Sequence, residues 1–129
     1  KLIFKKHKED FEILANKNKL IQVFINLIDN SISLSPKGSN ILIQLDKLDE
    51  KFISLRFYDQ GKGVDLKDSE KIFQRFYSDR QENLKNHTGL GLSIAKEIIE
   101  HLNGNIILDK SNKSDYPGAC FLITLPVKQ

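Results

Sequence analysis

The 129-residue chain has a single cysteine, Cys120, so it closes no internal disulfide, which fits a reducing compartment. Within the apolar run Ala119–Leu125 the thiol reads as a small buried hydrophobe. No apolar run approaches the roughly 20 residues that span a bilayer, and no signal peptide opens the sequence. A strong excess of one charge is missing too. The formal net charge is +3, and lysines interleave with acids, as over Lys5–Asp10. That leaves no basic stripe for a nucleic acid. Internal repeats and low-complexity tracts are also absent. With 40% hydrophobic and 29% charged residues, the composition is that of an ordinary globular protein. Residues 1–129 read as one domain, long enough to bury roughly two-thirds of its unfolded surface.

Hydrophobic spacing predicts short strands or extended edges over Leu2–Lys6 and Phe11–Ala15. A helix is expected from about Lys19 to Leu34, capped by Asn16 or Asn18 and stopped by Ser35-Pro36-Lys37-Gly38. Ile41–Leu48 and Phe52–Tyr58 alternate as strands around a turn at Asp49-Glu50. One or two helical turns follow over Ser69–Phe73. The polar stretch Tyr77–Thr88 reads as a long loop suited to a lid. Leu90–Leu102 forms the clearest amphipathic helix, closed by Asn103-Gly104. Asn105–Asp109 and Ala119–Leu125 supply the last strands, with a turn at Pro117-Gly118. Helices and strands mix without strict alternation, so a layer of helices on one face of a mixed sheet is expected.

Three polar groupings interrupt these apolar segments. In the first helix Gln22, Asn26 and Asn30 follow one another at i, i+4 spacing. A helix this apolar around its circumference is expected to be largely buried. Three buried amides without partners would cost roughly 1–3 kcal/mol each, so the stripe either bonds to neighbouring backbone or lines a cavity. Amide oxygens suit Mg²⁺, which keeps several waters and takes further oxygens from phosphate.

Asp59-Gln-Gly61-Lys-Gly63 sets a carboxylate at a strand end, before glycines that permit close backbone approach. Asp59 could serve a plain turn, or accept a hydrogen bond from the exocyclic amine of adenine, where guanine presents a carbonyl. Thr88-Gly89-Leu-Gly91-Leu-Ser93 opens a helix whose N–H groups and partial positive charge can hold phosphates. It is no dinucleotide fingerprint, since Ile94 replaces the third glycine. Nor is it a P-loop, since no Lys-Ser or Lys-Thr follows.

Taken in order, Asn26–Asn30, Asp59–Gly63, Ile72–Tyr77 and Gly89–Ser93 resemble the N, G1, F and G2 boxes of histidine kinases. The resemblance runs from about Ile13 to Pro126. It implies an α+β, Bergerat-type two-layer sandwich, with a mixed sheet of about five strands, three helices and an ATP lid. Carried over position by position, it implies that Asn26 and Asn30 hold Mg²⁺ and the phosphates. Asp59 would take the adenine amine, with Gly61 and Gly63 shaping that wall. Phe73 and Phe76 would anchor the lid. Gly89 and Gly91 would contact the phosphates, with Thr88, Leu90 and Leu92 beside them.

The chain also departs from that pattern. Ser33 and Leu34 stand where many histidine kinases carry a Lys or His and then an aromatic residue. Ser33 thus joins the nucleotide-facing set without a charge, and Arg75 or Arg80 could compensate from the lid side. The related ATPases resemble Glu-x-x-x-Asn, with the Glu as general base. Asn26 replaces that Glu here and cannot take a proton from water, so the site reads as one that holds ATP for transfer.

His7, His87 and His101 do not occupy the helical setting of a phosphoacceptor and read as surface residues. The resemblance therefore implies a catalytic domain whose partners are a dimerisation and phosphoacceptor segment of its own kinase and a response regulator. It implies a cytoplasmic setting, as part of an inner-membrane sensor, with no membrane or nucleic-acid contact by the domain itself. Two other readings stay open: a degenerate site that serves as a docking module, and an autonomous ATPase.

Overall fold

In the computed structural model, the described residues are 1–5, 12–61, 71–74, 91–109 and 115–128. Five strands form one mixed sheet: β1 (Leu2–Lys5), β2 (Ile41–Lys47), β3 (Phe52–Tyr58), β4 (Asn105–Asp109) and β5 (Cys120–Pro126). Their order across the sheet is β1-β2-β3-β5-β4. β1 runs parallel to β2, and every other pairing is antiparallel. Two α-helices, α1 (Lys17–Leu34) and α2 (Gly91–His101), pack on one face together with a 3₁₀ turn at Lys71–Phe73. Among the described residues the helical layer thus has two α-helices and that turn, where three helices were expected.

The period-2 alternation sets the core. Ile53, Leu55 and Phe57 pair across the ladder with Leu125, Ile123 and Phe121, and all six face the helices. Val23 and Leu27 of α1 and Ala95 and Ile99 of α2 close over them, each fully buried. Behind the sheet, Leu42, Tyr58, Tyr116 and Cys120 make a small second cluster. Burial pushes the Cys120 thiol up to about 12, so it stays protonated at neutral pH.

Local chemistry fixes the ends of α1. Asn16 has extended backbone, and its side chain accepts the Lys19 N–H at 3.1 Å. Ser35 is extended because the following Pro36 disfavours helical backbone there. α2 ends on Asn103 at φ 61°, and the Gly104 N–H returns to the Ile99 carbonyl at 3.0 Å.

Two expectations are corrected. Phe11 lies outside the described residues, and residues 12–15 form no strand. One backbone bond, from Lys128 N–H to the Glu12 carbonyl, ties this stretch down where a ladder would need several. The first helix is not buried all round either. Ile21, Ile25 and Ile32 stand exposed on its outer side, and Gln22 is exposed, so it does not share the enclosed setting of Asn30. A helix lying on a sheet has only one face to bury, whatever its composition.

This packing sets different costs for two apolar side chains. Phe121 is fully buried and meets Phe73 edge-on at 6.2 Å between ring centroids. Phe121→Ala is expected to cost about 3–5 kcal/mol in urea unfolding. Ile32→Ser, at a position 58% exposed, should stay within about 0.5 kcal/mol of the parent.

Candidate functional site

The site is built where the C-terminal half of α1, the end of β3 and the start of α2 meet. Asn26 donates from Nδ2 to the Gly91 carbonyl at 3.1 Å, fastening the first residue of α2 to α1. Its Oδ1 faces away from that bond. One turn on, Asn30 is mostly buried (8% exposed), and among the described residues no hydrogen bond engages its side-chain amide. Ser33 turns its hydroxyl back to the Asn30 carbonyl at 2.9 Å. Gly91 opens α2, where first-turn N–H groups have no acceptor within the helix. A Cβ at Gly91 would meet Asn26 only at 3.8 Å, an ordinary contact, so packing against α1 does not itself require glycine.

Asp59 follows β3 directly and is 1% exposed. Its Oδ1 accepts two backbone N–H groups, from Gly61 at 3.0 Å and Ala119 at 3.1 Å. Its Oδ2 is buried without a hydrogen-bond partner. Burial pushes the Asp59 carboxyl above its ordinary 3.8, against the opposing pull of the Gly61 and Ala119 N–H groups and of Ser31. Ser31 on α1 is itself fully buried, and its Oγ also closes no hydrogen bond of ordinary geometry. Gly61 packs so tightly on the Leu34 carbonyl that a Cβ there would overlap it. The carboxylate therefore sits against the last turns of α1, near Ser31 and Leu34.

The remaining sequence-predicted residues divide. Leu92 is half-buried and packs on the core. Phe73 is buried between the 3₁₀ turn and β5, with Lys96 Nζ 5.1 Å from its ring centroid. Gly63, Arg75, Phe76, Arg80, Thr88, Gly89 and Leu90, with the whole Tyr77–Thr88 stretch, lie outside the described residues. Of the histidines, His7 and His87 do too, while His101 is exposed with its ring against the Glu97 carbonyl at 2.8 Å. Sequence reasoning missed Ser31 and the donor Ala119. No motif marks either, and only the pairing of β3 with β5 brings Ala119 to the carboxylate.

Chemically, this arrangement offers a buried acceptor without a partner, two side-chain amides and a helix N-terminus. Among the described residues no three His, Cys, Asp or Glu side chains gather as a metal site. A cation bound here would instead lean on amide oxygens and on a ligand's own oxygens, which suits Mg²⁺.

Comparison with known proteins gives the class. Residues 15–129 match the histidine kinase-, DNA gyrase B- and HSP90-like ATPase family, and the chain belongs to it. Sporulation kinase E of Bacillus subtilis is 33% identical over 117 residues, which are 91% of this chain and 15% of that kinase. The sensor histidine kinase WalK of the same organism is 34% identical over 123 residues, 93% of this chain and 20% of WalK. The chain thus spans about a fifth or less of these relatives' length.

Among solved structures, the catalytic domain of histidine kinase ThkA superposes with a TM-score of 0.80 at 26% identity, covering 97% of this chain and 78% of that one. ThkA has also been solved in complex with the response regulator TrrA, with a TM-score of 0.76 at 25% identity, over 98% and 34% of the two chains. Full-length ShkA with AMPPNP shares the fold at a TM-score of 0.81 and 20% identity, over 99% and 26%. Within its family, then, this chain is most like the catalytic ATP-binding domains of sensor histidine kinases in sequence and fold.

The raised Asp59 pKa has a stability consequence. A carboxyl whose pKa is higher folded than unfolded weakens folding as pH rises from about 3.8 through the folded value. Asp59→Asn should therefore melt at a higher temperature than the parent near neutral pH without nucleotide. The gain should vanish below that window, as a pH series of thermal melts would show.

Proposed function

We propose that this domain binds Mg-ATP and, in the full-length kinase, donates the γ-phosphoryl group to a histidine of a dimerisation segment, from which it passes to a response regulator. The observation that carries the reading is Asp59, held by two backbone N–H groups with Oδ2 buried and unanswered. An acceptor fixed this way costs no further ordering when a donor arrives, and the exocyclic amine of adenine supplies one. Guanine would bring a carbonyl against the carboxylate, so adenine is favoured.

Asn26 Oδ1 and the Asn30 amide would hold Mg²⁺, which when bound neutralises charge on the phosphate oxygens. Gly89 and Gly91, with the first turn of α2, would receive the phosphates. Gly61 and Gly63 would shape the base wall, while Ser33, Leu90, Leu92 and Thr88 complete the nucleotide-facing set. Phe73, Phe76, Arg75 and Arg80 would serve the lid side. In the transfer, the bond from the γ-phosphorus to the β–γ bridging oxygen breaks as a bond to the histidine nitrogen forms, leaving ADP. Asn26 cannot remove a proton from water, so this chain's own residues hold ATP without hydrolysing it. No described helix is long and apolar enough to cross a membrane, and we place the domain on the cytoplasmic side, where ATP is available.

Calorimetric titration tests the reading. The unmodified domain should bind ATP more tightly with Mg²⁺, with no steady turnover. Asp59→Asn and Asn30→Ala should each weaken binding about tenfold or more, the usual worth of a hydrogen bond to a charged group or of a metal ligand. No detectable binding by the unmodified domain would overturn the reading and favour a docking module. Sustained hydrolysis would favour an ATPase.

A further inference from the structure

The antiparallel ladder of β3 and β5 continues one step past its last pair, Tyr58 with Cys120. The Asp59 N–H donates to the Ala119 carbonyl, and the Gly118 N–H donates to the Asp59 carbonyl, both at 3.1 Å. The 115–119 turn thereby lies directly against the carboxylate. A Cβ on Gly118 would overlap Asp59 Oδ1 and stand 2.7 Å from the Gly61 nitrogen and 2.9 Å from the Asp59 carbonyl oxygen. Gly118 does not have positive φ, so space and not backbone conformation demands glycine there. A second tie holds the same turn. The Gln60 side chain accepts the Asn40 N–H at 2.8 Å and donates to the Asp115 carbonyl at 2.9 Å, linking the turn to the α1–β2 connection.

We infer that the 115–119 turn is a clamp that aims Asp59 at the nucleotide base, with Gly118 as its positioning residue and Gln60 as its brace. The inference rests on the proposed reading of Asp59 as the adenine acceptor. Oδ1 and Oδ2 rotate together about one bond, so any group that displaces Oδ1 swings Oδ2 off its line. The atoms nearest a Cβ at Gly118 belong to Asp59 and Gly61, and none to Asn26, Asn30 or α2, so the phosphate and Mg²⁺ side should not feel the change. The clamp governs which base is chosen and leaves the triphosphate contacts alone.

The test compares Mg-ATP with Mg-GTP by calorimetry in the parent, Asp59→Asn, Gly118→Ala, Gly104→Ala and Gln60→Glu. Gly104 is the steric control. A Cβ there would press on the Thr124 carbonyl at 2.5 Å and on Leu125 and Ile99, remote from Asp59. Gly118→Ala and Gly104→Ala should both lower the melting temperature. Of these two, Gly118→Ala alone should reduce the preference for ATP over GTP, by about tenfold or more, while keeping the fold-gain that Mg²⁺ gives to ATP binding. Gln60→Glu keeps the acceptor for Asn40 and loses the donor to Asp115. It should fold and lose about two- to tenfold of the same preference, which keeps the inference open to refutation if Gly118→Ala does not fold. Undiminished ATP preference in folded Gly118→Ala, or in Gln60→Glu where Gly118→Ala fails to fold, overturns the clamp while Asp59→Asn still loses it. A parent without ATP preference, or an Asp59→Asn that retains it, overturns the reading of Asp59 and the clamp with it.

Discussion

A buried carboxylate with one oxygen committed and the other unanswered is the constraint around which this domain is arranged. Asp59 has no room to relax. Oδ1 is fixed by two backbone N–H groups, from the residue two positions on and from a residue sixty positions away. The second donor is available only because β3 and β5 pair in a register that sets Tyr58 against Cys120. That register follows from alternating core residues, since a slip of one would turn Phe57 and Phe121 out of the core. Hydrophobic patterning therefore fixes the geometry of a polar site, and one buried apolar residue, Ala119, gives its backbone N–H to the carboxylate.

α1 divides its circumference among several tasks. Val23, Leu27 and Ser31 face inward, and Ser31 brings a hydroxyl to the Asp59 side. Asn26 lies toward α2, and Asn30 follows it one turn on, mostly buried. Ile21, Ile25 and Ile32 look outward. The amides are thus carried by the last turns of one helix, against which Gly61 brings the Asp59 loop at the Leu34 carbonyl. On the far side of the sheet, Tyr116 packs tilted against Tyr58 at 6.3 Å and gives the Asp115–Ala119 stretch a backing of its own.

Much of this was legible in the sequence. The alternation over Phe52–Tyr58 and Asn105–Asp109 gave those strands to the residue, because strands with one buried face carry a clear period. Asn26, Asn30 and Asp59 stood out because amides and a carboxylate in apolar segments need a reason to be there. The burial of α1 was misjudged because composition counts apolar residues without saying how many neighbours are available to cover them. The extended stretch before Asn16 failed as a strand because propensity cannot supply a pairing partner. Ala119 and Ser31 were invisible for a different reason. Their roles come from tertiary proximity to Asp59, and an alanine or a serine in an apolar run carries no local signal of it.

The tie between Asn26 and Gly91 also bears on how readily such a site could change its chemistry over evolutionary time. One amide has two ends: its nitrogen fastens α2 to α1, and its oxygen is left outside that bond. A carboxylate at this position would bring a base for activating water, yet it would have no N–H to give the Gly91 carbonyl and would set two acceptors against each other. The route from holding ATP to hydrolysing it is therefore not a single substitution. It would also require a new fastening between the two helices, so what this position can carry is constrained by architecture as well as by chemistry.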